Sequence, residues 1–374
     1  MNNLSNRKNI YYIVKSTLHY YPPCVSQIRI LNDIGINVTV LYGSSDEIII
    51  KKLEDEGITC IQLTDPRNIL PSKLDKVNNW ISFRNSLQKF LKKIDNKNAI
   101  LWFGNAETII PMYGALRKWN YVVSFLELLD THKYKLFALK RIARNAKIVT
   151  VCEETRAYLM KNWFDLKQLP YIIPNKPYNI EFKRGEVPTT ETGKAILDIT
   201  NGEKFVISQG VLQNSEFYTV IAHVLHDKYP DMYLILIGID KYNIFEEVKA
   251  IHDKTFFFDY IPAPMHLQIT ANAYIGLVFY RDDQLNKVFC APNKIFEYSF
   301  FGVPIIANNL PGLKNTIGKA NAGICVEFTY ENIADAFEII ENHYEEISIN
   351  GVNFYNSVDN VSTINKIVEK LMRN

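Results

Sequence analysis

The sequence predicts an α/β protein of two doubly wound parallel-sheet (Rossmann-like) domains facing each other across a cleft. Three observations predict it. The chain has 374 residues, enough for two domains of ordinary size. Short β-rich apolar runs alternate with longer amphipathic stretches along its whole length. The alternation breaks once, where Pro170, Pro174, Pro177, Pro188, Gly193 and Gly202 punctuate polar sequence, and then restarts. The expected division is residues 1–175 plus a C-terminal helix in 352–374 for one domain and 176–351 for the other.

In the first half the strand candidates are Ile10–Val14, Val38–Tyr42, Thr59–Leu63, Ala99–Phe103, Tyr121–Leu126 and Lys147–Val151. They are nearly continuous apolar runs, as expected when helices cover both faces of a parallel sheet. Helical spacing is expected over Val25–Asp33, around Trp80–Ile94, and over Met112–Lys118, Tyr134–Arg144 and Glu154–Trp163. In the second half the strands are Phe205–Gln209, Tyr233–Gly238, Thr255–Phe258, Ile275–Tyr280, Pro304–Ala307 and Gly323–Val326. Helices are expected over Glu216–Lys228, Asn243–His252, Pro264–Asn272, Pro292–Phe301 and Glu331–Asn342, with a last one near Val361–Leu371.

Composition excludes several classes. At 47% hydrophobic and 13% aromatic residues the chain can bury real cores, so it is not disordered or fibrous. Its longest apolar runs, such as Met232–Ile239, are far short of the roughly 20 residues of a membrane span. Met1–Asn9 is polar and does not read as a secretory signal. Five cysteines without a C-x-x-C pair read as reduced thiols in a cytoplasmic protein rather than a disulfide frame or zinc site. The net charge of +2 conceals an asymmetry: residues 1–175 hold 25 Lys plus Arg against 15 Asp plus Glu, and the remainder 17 against 25. The first half favours anionic surfaces or substrates.

The segment Ala291-Pro292-Asn293-Lys294-Ile295-Phe296-Glu297-Tyr298, followed by Phe301-Gly302-Val303-Pro304-Ile305-Ile306-Ala307, carries the most chemistry. Pro292 suits the first position of a helix, whose free N–H groups form an anion site. Lys294 and Glu297, three residues apart, project from nearly one face. A cation and a helix start beside a carboxylate suit a nucleoside diphosphate, with phosphates on the first and ribose hydroxyls on the second. An ordinary Lys–Glu pair on a capped helix is the plain alternative.

This stretch resembles the nucleotide-sugar signature of GT-B glycosyltransferases, in particular the family 4-like enzymes of bacterial polysaccharide biosynthesis. Ser208-Gln209-Gly210-Val211 is similar to their glycine turn under the donor phosphates. Phe258-Asp259-Tyr260-Ile261-Pro262 resembles the segment lining the base pocket, and Asn272-Ala273-Tyr274-Ile275-Gly276-Leu277 resembles their A-D-I-G-L. Val38-Thr39-Val40-Leu41 and Ile173-Pro174-Asn175 resemble elements of their first domain. The resemblance implies transfer of a sugar from a nucleoside-diphosphate sugar, a UDP-sugar being the expectation, to a glycan or lipid-linked acceptor, with no bound cofactor. Residues 176–351 would bind the donor through Gln209, Gly210, Tyr260, Ile261, Asn293, Lys294 and Glu297. Residues 1–175 would bind the acceptor. Glu297 matches the second of the family's paired glutamates, whereas Phe289 stands where the first would fall, which leaves open a retaining or inverting course.

No G-x-G-x-x-G follows the first strand, no P-loop is present and no two aspartates form a D-x-D, so neither a dinucleotide nor a metal is expected. On the acceptor side Glu127, His19 and Asn105 follow strands and are candidate catalytic groups, with Glu107 beside them. Glu127 is either a base or positioning carboxylate, or a carboxylate held by a helix or by Arg141. His223, His226, His252 and His266 read as surface or packing residues. Lys133, Lys140, Arg144 and Lys147 share a helical face that suits anionic lipid headgroups; a solvated helix is the alternative. Nucleic acid is not an expected partner. The rival readings are a sugar-nucleotide 2-epimerase, a catalytically silent GT-B subunit that binds a nucleotide, sugar or partner, and an exported sugar-binding module.

Overall fold

A computed structural model describes residues 9–64 and 73–373; most of the polar start Met1–Asn9 lies outside them. The chain divides into two compact units, residues 1–178 with 359–374, and residues 179–358. These crossings fall at 178/179 and 358/359 rather than at 175/176 and 351/352.

The first unit carries strands β1 (Asn9–Thr17), β2 (Val38–Ser44), β3 (Thr59–Gln62), β4 (Ala99–Phe103), β5 (Asn120–Phe125), β6 (Ile148–Val151) and β7 (Tyr171–Ile172). Among them run helices α1 (Pro22–Asp33), α2 (Glu47–Asp55), α3 (Lys73–Leu91), α4 (Ala106–Ile109), α5 (Lys133–Asn145) and α6 (Glu154–Phe164). The second unit carries α7 (Glu191–Thr200), β8 (Phe205–Leu212), α8 (Ser215–Lys228), β9 (Tyr233–Asp240), α9 (Ile244–Ile251), β10 (Thr255–Asp259), α10 (Leu267–Thr270) and β11 (Ile275–Val278). It continues through α11 (Leu285–Val288), α12 (Asn293–Phe300), β12 (Ile305–Asn308), α13 (Pro311–Leu313), β13 (Gly323–Val326), α14 (Tyr330–Asn342) and α15 (Tyr344–Ser357). Helix α16 (Asn360–Met372) returns to the first unit.

Both sheets are parallel. Their orders are β3-β2-β1-β4-β5-β6-β7 and β10-β9-β8-β11-β12-β13. Each is wound outward in two directions from its centre, so the switch points lie between β1 and β4 and between β8 and β11, where α/β proteins bind ligands. The second sheet is buried on both faces. Phe205, Ile207, Ile235 and Ile237 enter one core with α7, α10 and α12, and Val206, Leu234 and Leu236 enter another with α8, α9 and α14. That two-sided burial accounts for the unbroken apolar runs in the sequence. In the first unit α16 adds Ile364, Ile367, Val368 and Leu371 to the core under β1, β2 and β4.

Several expectations need correction. The proline-rich stretch contains β7 and α7, because Tyr171–Ile172 pairs with β6 and the Thr190 hydroxyl caps a helix that buries Ile196. Met112–Lys118 forms no α-helix; the helical turn comes earlier, at Ala106–Met112, set by the cap at Asn105. Helices α2 and α15 were not expected. Pro292 is the N-cap residue of α12, with extended ψ of 150°, and Asn293 is the first helical residue.

Candidate functional site

At the switch point of the second sheet stand Gln209, Gly210 and Lys294. β8 ends through Gln209 and Gly210, and β9 ends beside it through Gly238, the partner of Gly210 in the ladder. Gly210 has φ +108° and Gly238 φ +144°, a region that side chains strain to enter. A Cβ at Gly238 would overlap the Gly210 carbonyl, so the two strand ends can lie this close only without one. The Lys294 Nζ stands 3.5 Å from where a Gly210 Cβ would be.

Helix α12 delivers Lys294 and Glu297. It buries Ile295, Phe296, Tyr298 and Ser299, and Phe296 stacks on Phe354 of α15 with centroids 5.2 Å apart. Gly302 at φ +62° ends it, with the Val303 N–H donating to the Tyr298 carbonyl at 2.9 Å. No side chain caps its start. Lys294 is partly buried and makes no ion pair among the described residues. Burial pulls its ammonium down to about 8, against the opposing fields of Glu297 and Cys290. Asn293 stands at the helix start, half-buried.

Glu297 is only 5% exposed, and its Oε2 lies 3.3 Å from His266 Nε2. His266, read from the sequence as a surface or packing residue, stands against this carboxylate. It stands just before α10, and local spacing gives no sign that this turn reaches α12. A chain of contacts fixes it: Gln209 Nε2 donates to Thr270 Oγ1 at 2.6 Å, and the Thr270 hydroxyl donates to the His266 carbonyl at 3.2 Å. Gln209 is therefore held by the scaffold through its side-chain amide. His266 Nδ1 is buried and has no hydrogen-bond partner among the described residues. After β10, Tyr260 is 41% exposed and Ile261 packs against the core. Phe289 follows α11 directly and adds no carboxylate.

In the first unit the carboxyl ends of β1, β4 and β5 carry a separate cluster. Asn105 is the N-cap of α4: its Oδ1 accepts from the Thr108 N–H at 2.9 Å and the Thr108 hydroxyl at 2.8 Å. Its Nδ2 is buried without a partner among the described residues. Glu107 pairs with Lys135 at 2.7 Å. Burial pushes the Glu107 carboxyl up, but Lys135, Lys15 and His132 outweigh it, and its pKa lies below the ordinary value. Glu127 is exposed and makes no hydrogen bond or ion pair among the described residues; it contributes to the field that raises Tyr21. Arg141 is not its partner but sits over the Tyr113 ring at 6.0 Å. His19 Nδ1 accepts the Asp46 N–H at 2.8 Å, which places the proton of the neutral ring on Nε2. Burial lowers its pKa, with Asp46 opposing. In this tautomer Nε2 can donate but not abstract a proton.

The basic face of α5 is partly neutralised. Lys140 and Arg144 both pair with Asp165, the former at 2.6 Å, while Lys133 and Lys147 are exposed. His252 is buried with Nε2 2.8 Å from the Met232 carbonyl, a packing role. All five cysteines are free thiols, and no described helix is long and apolar enough to cross a membrane.

No protein-family model and no curated protein matches the chain. Solved structures do. HepE from Anabaena, in complex with UDP and glucose, superposes with a TM-score of 0.70 at 13% identity, covering 98% of this chain and 100% of that one. Sucrose-phosphate synthase from Thermosynechococcus elongatus gives 0.67 at 15% identity over 98% of each chain. A UDP-N-acetylglucosamine 2-epimerase candidate from Listeria monocytogenes gives 0.60 at 11% identity, covering 96% and 94%. Such identities speak for architecture and not for activity. The two wound parallel sheets and the full-length match to these structures give the chain the GT-B fold.

Proposed function

We propose that the protein is a glycosyltransferase that moves a sugar from a nucleoside-diphosphate sugar, a UDP-sugar first among them, to the hydroxyl of a glycan or lipid-linked acceptor in cell-surface polysaccharide synthesis. The observation that carries this reading is the Lys294 ammonium beside Gly210 at the switch point of the second sheet, without a carboxylate partner among the described residues. A cation held out of bulk water next to a strand end without a Cβ suits a diphosphate. HepE binds UDP-glucose on the same architecture.

In this reading the uncapped start of α12 and Lys294 offset the charge that grows on the departing diphosphate, so no metal is required. Glu297 accepts the ribose hydroxyls, and His266 holds its other side. Tyr260 and Ile261 flank the base, and Asn293 and Gln209 support the phosphate end. Glu127 of the first unit is the group we assign to the acceptor hydroxyl, as base or positioning carboxylate, because no partner holds it among the described residues. His19 supports as a donor, and Asn105 shapes the loop that carries Glu107. Five free thiols suit a reducing, cytoplasmic compartment.

The test is a thermal-shift screen of UDP, GDP, ADP, TDP and CMP without added metal, repeated on Lys294→Ala and Glu297→Ala. One nucleotide that stabilises the wild type and neither variant supports the donor site; no shift from any, or equal shifts in both variants, overturns it. The Listeria structure favours a second reading, the 2-epimerase. Incubating UDP-N-acetylglucosamine without acceptor and following C2 by NMR decides between them, since only an epimerase changes that centre. A nucleotide that binds with neither reaction leaves the silent-subunit reading.

A further inference from the structure

We propose that the outer face of α5, with the cavity beside it, is a docking site for the phosphate headgroups of an anionic lipid bilayer. The cavity lies at the amino ends of β5 and β6, where α5 finishes, while the start of α5 follows the carboxyl end of β5 and pairs Lys135 with Glu107. The cavity, of about 550 Å³, is lined by Tyr113, Arg117, Trp119, Tyr121, Arg141 and Asn145, among others, and its lining holds no Asp or Glu. Arg117 and Arg141 are both exposed, and neither forms an ion pair among the described residues. Two unneutralised guanidinium forks over aromatic walls suit a phosphate oxyanion with an apolar body attached.

The helix extends this surface. At about 100° per residue Tyr134, Arg141 and Asn145 fall within roughly 40° of one another, with Phe137 next to them. Tyr134 is 95% exposed and Phe137 76% exposed, on a helix whose Leu139, Ile142 and Ala143 already fill the core side. The two large rings therefore face away from any core. Flanked by Lys133 on one side and Arg117 with Arg141 on the other, they match an aromatic and basic surface that settles at the headgroup level of a bilayer. Lys140 and Arg144, which the sequence singled out, contribute less because Asp165 already neutralises them.

Flotation with vesicles of phosphatidylcholine alone, or with added phosphatidylglycerol, tests this. Each cation at such a surface strengthens partitioning about fivefold, so Arg117→Gln/Arg141→Gln is expected to cut recovery from anionic vesicles roughly 25-fold at low salt. Phe137→Ser should reduce recovery from the same vesicles several-fold, and Lys140→Gln only slightly. All these side chains are at least partly exposed, so the variants should fold, and an unchanged thermal shift with UDP serves as the control. Equal recovery from neutral and anionic vesicles, or undiminished recovery of the double arginine variant, overturns the proposal. Stabilisation of the wild type but not the double variant by inorganic phosphate, without vesicle recovery, also overturns it and assigns the cavity to soluble phosphate. Flotation reads neither nucleotide binding nor sugar transfer, so its failure leaves the proposed function standing.

Discussion

His266 Nε2 lies 3.3 Å from Glu297 Oε2, joining the turn before α10 to a buried carboxylate on α12. A carboxylate so buried needs a donor, or it loses its charge or its orientation. Removing the ring should cost nucleotide affinity rather than the fold. In His266→Ala the Kd for the best nucleotide should rise about tenfold, while His266→Gln, which keeps an N–H donor, should stay within about threefold of wild type. Calorimetry of both variants checks this; equal Kd values in the two would show that the contact with Glu297 does nothing for binding.

Lys294 makes binding pH-dependent. Its pKa in the free protein is lowered by burial to about 8, so below that pH it is charged, and a bound diphosphate should raise it. Affinity should hold below pH 8 and fall about tenfold for each pH unit well above it. Stability of the free protein moves the other way. Between pH 8 and the ordinary lysine value the unfolded chain binds more protons, so stability from this group rises with pH there. Kd measured from pH 7 to 9.5, in two buffers of different ionisation heat, should show proton uptake near pH 8 that Lys294→Arg abolishes.

Gly238→Ala should damage both fold and site. At φ +144°, with the Gly210 carbonyl in the place of the new Cβ, the strand ends must separate. A loss of about 2–3 kcal/mol is expected, which lowers the melting temperature by roughly 4–12 °C. Loss of the nucleotide-induced shift should accompany it. A variant with wild-type melting temperature would contradict the close approach of β8 and β9.

Asn105 separates a capping role from a catalytic one. Asn105→Ala removes the acceptor for the Thr108 N–H and should cost about 1 kcal/mol in denaturant unfolding, while Asn105→Ser should restore most of it. If Asn105→Ser recovers stability but transfer activity stays more than tenfold down, the Nδ2 group acts on substrate.

Tyr298 carries a buried hydroxyl without a partner among the described residues, and its ring lies against Gly276. Tyr298→Phe keeps the ring and removes the unsatisfied group, so stability should be unchanged or higher by up to about 1 kcal/mol, with nucleotide affinity unaltered. A weaker Kd in this variant would place the hydroxyl on the ligand.

The periodicities that make the fold are local, and so the sequence by itself determined the alternation of strands and helices, the doubling of the domain and a last helix with no strand after it. Two-sided burial of each sheet leaves continuous apolar runs such as Tyr233–Gly238, and these can be read without knowing their neighbours. Lys294 and Glu297 were legible because one helix turn sets their spacing. Helix α7 was not, since prolines and glycines around it signal a break whatever follows. Only the tertiary structure could decide partners distant in sequence. It brought His266 to Glu297, Gln209 to Thr270, Gly238 against Gly210 and Asp165 onto Lys140 and Arg144. The last of these reduced a basic face that charge spacing alone had suggested, because a side chain's charge counts only with its neighbours in space. Strand order and the loops it juxtaposes set such pairings, and no periodicity along the chain records them.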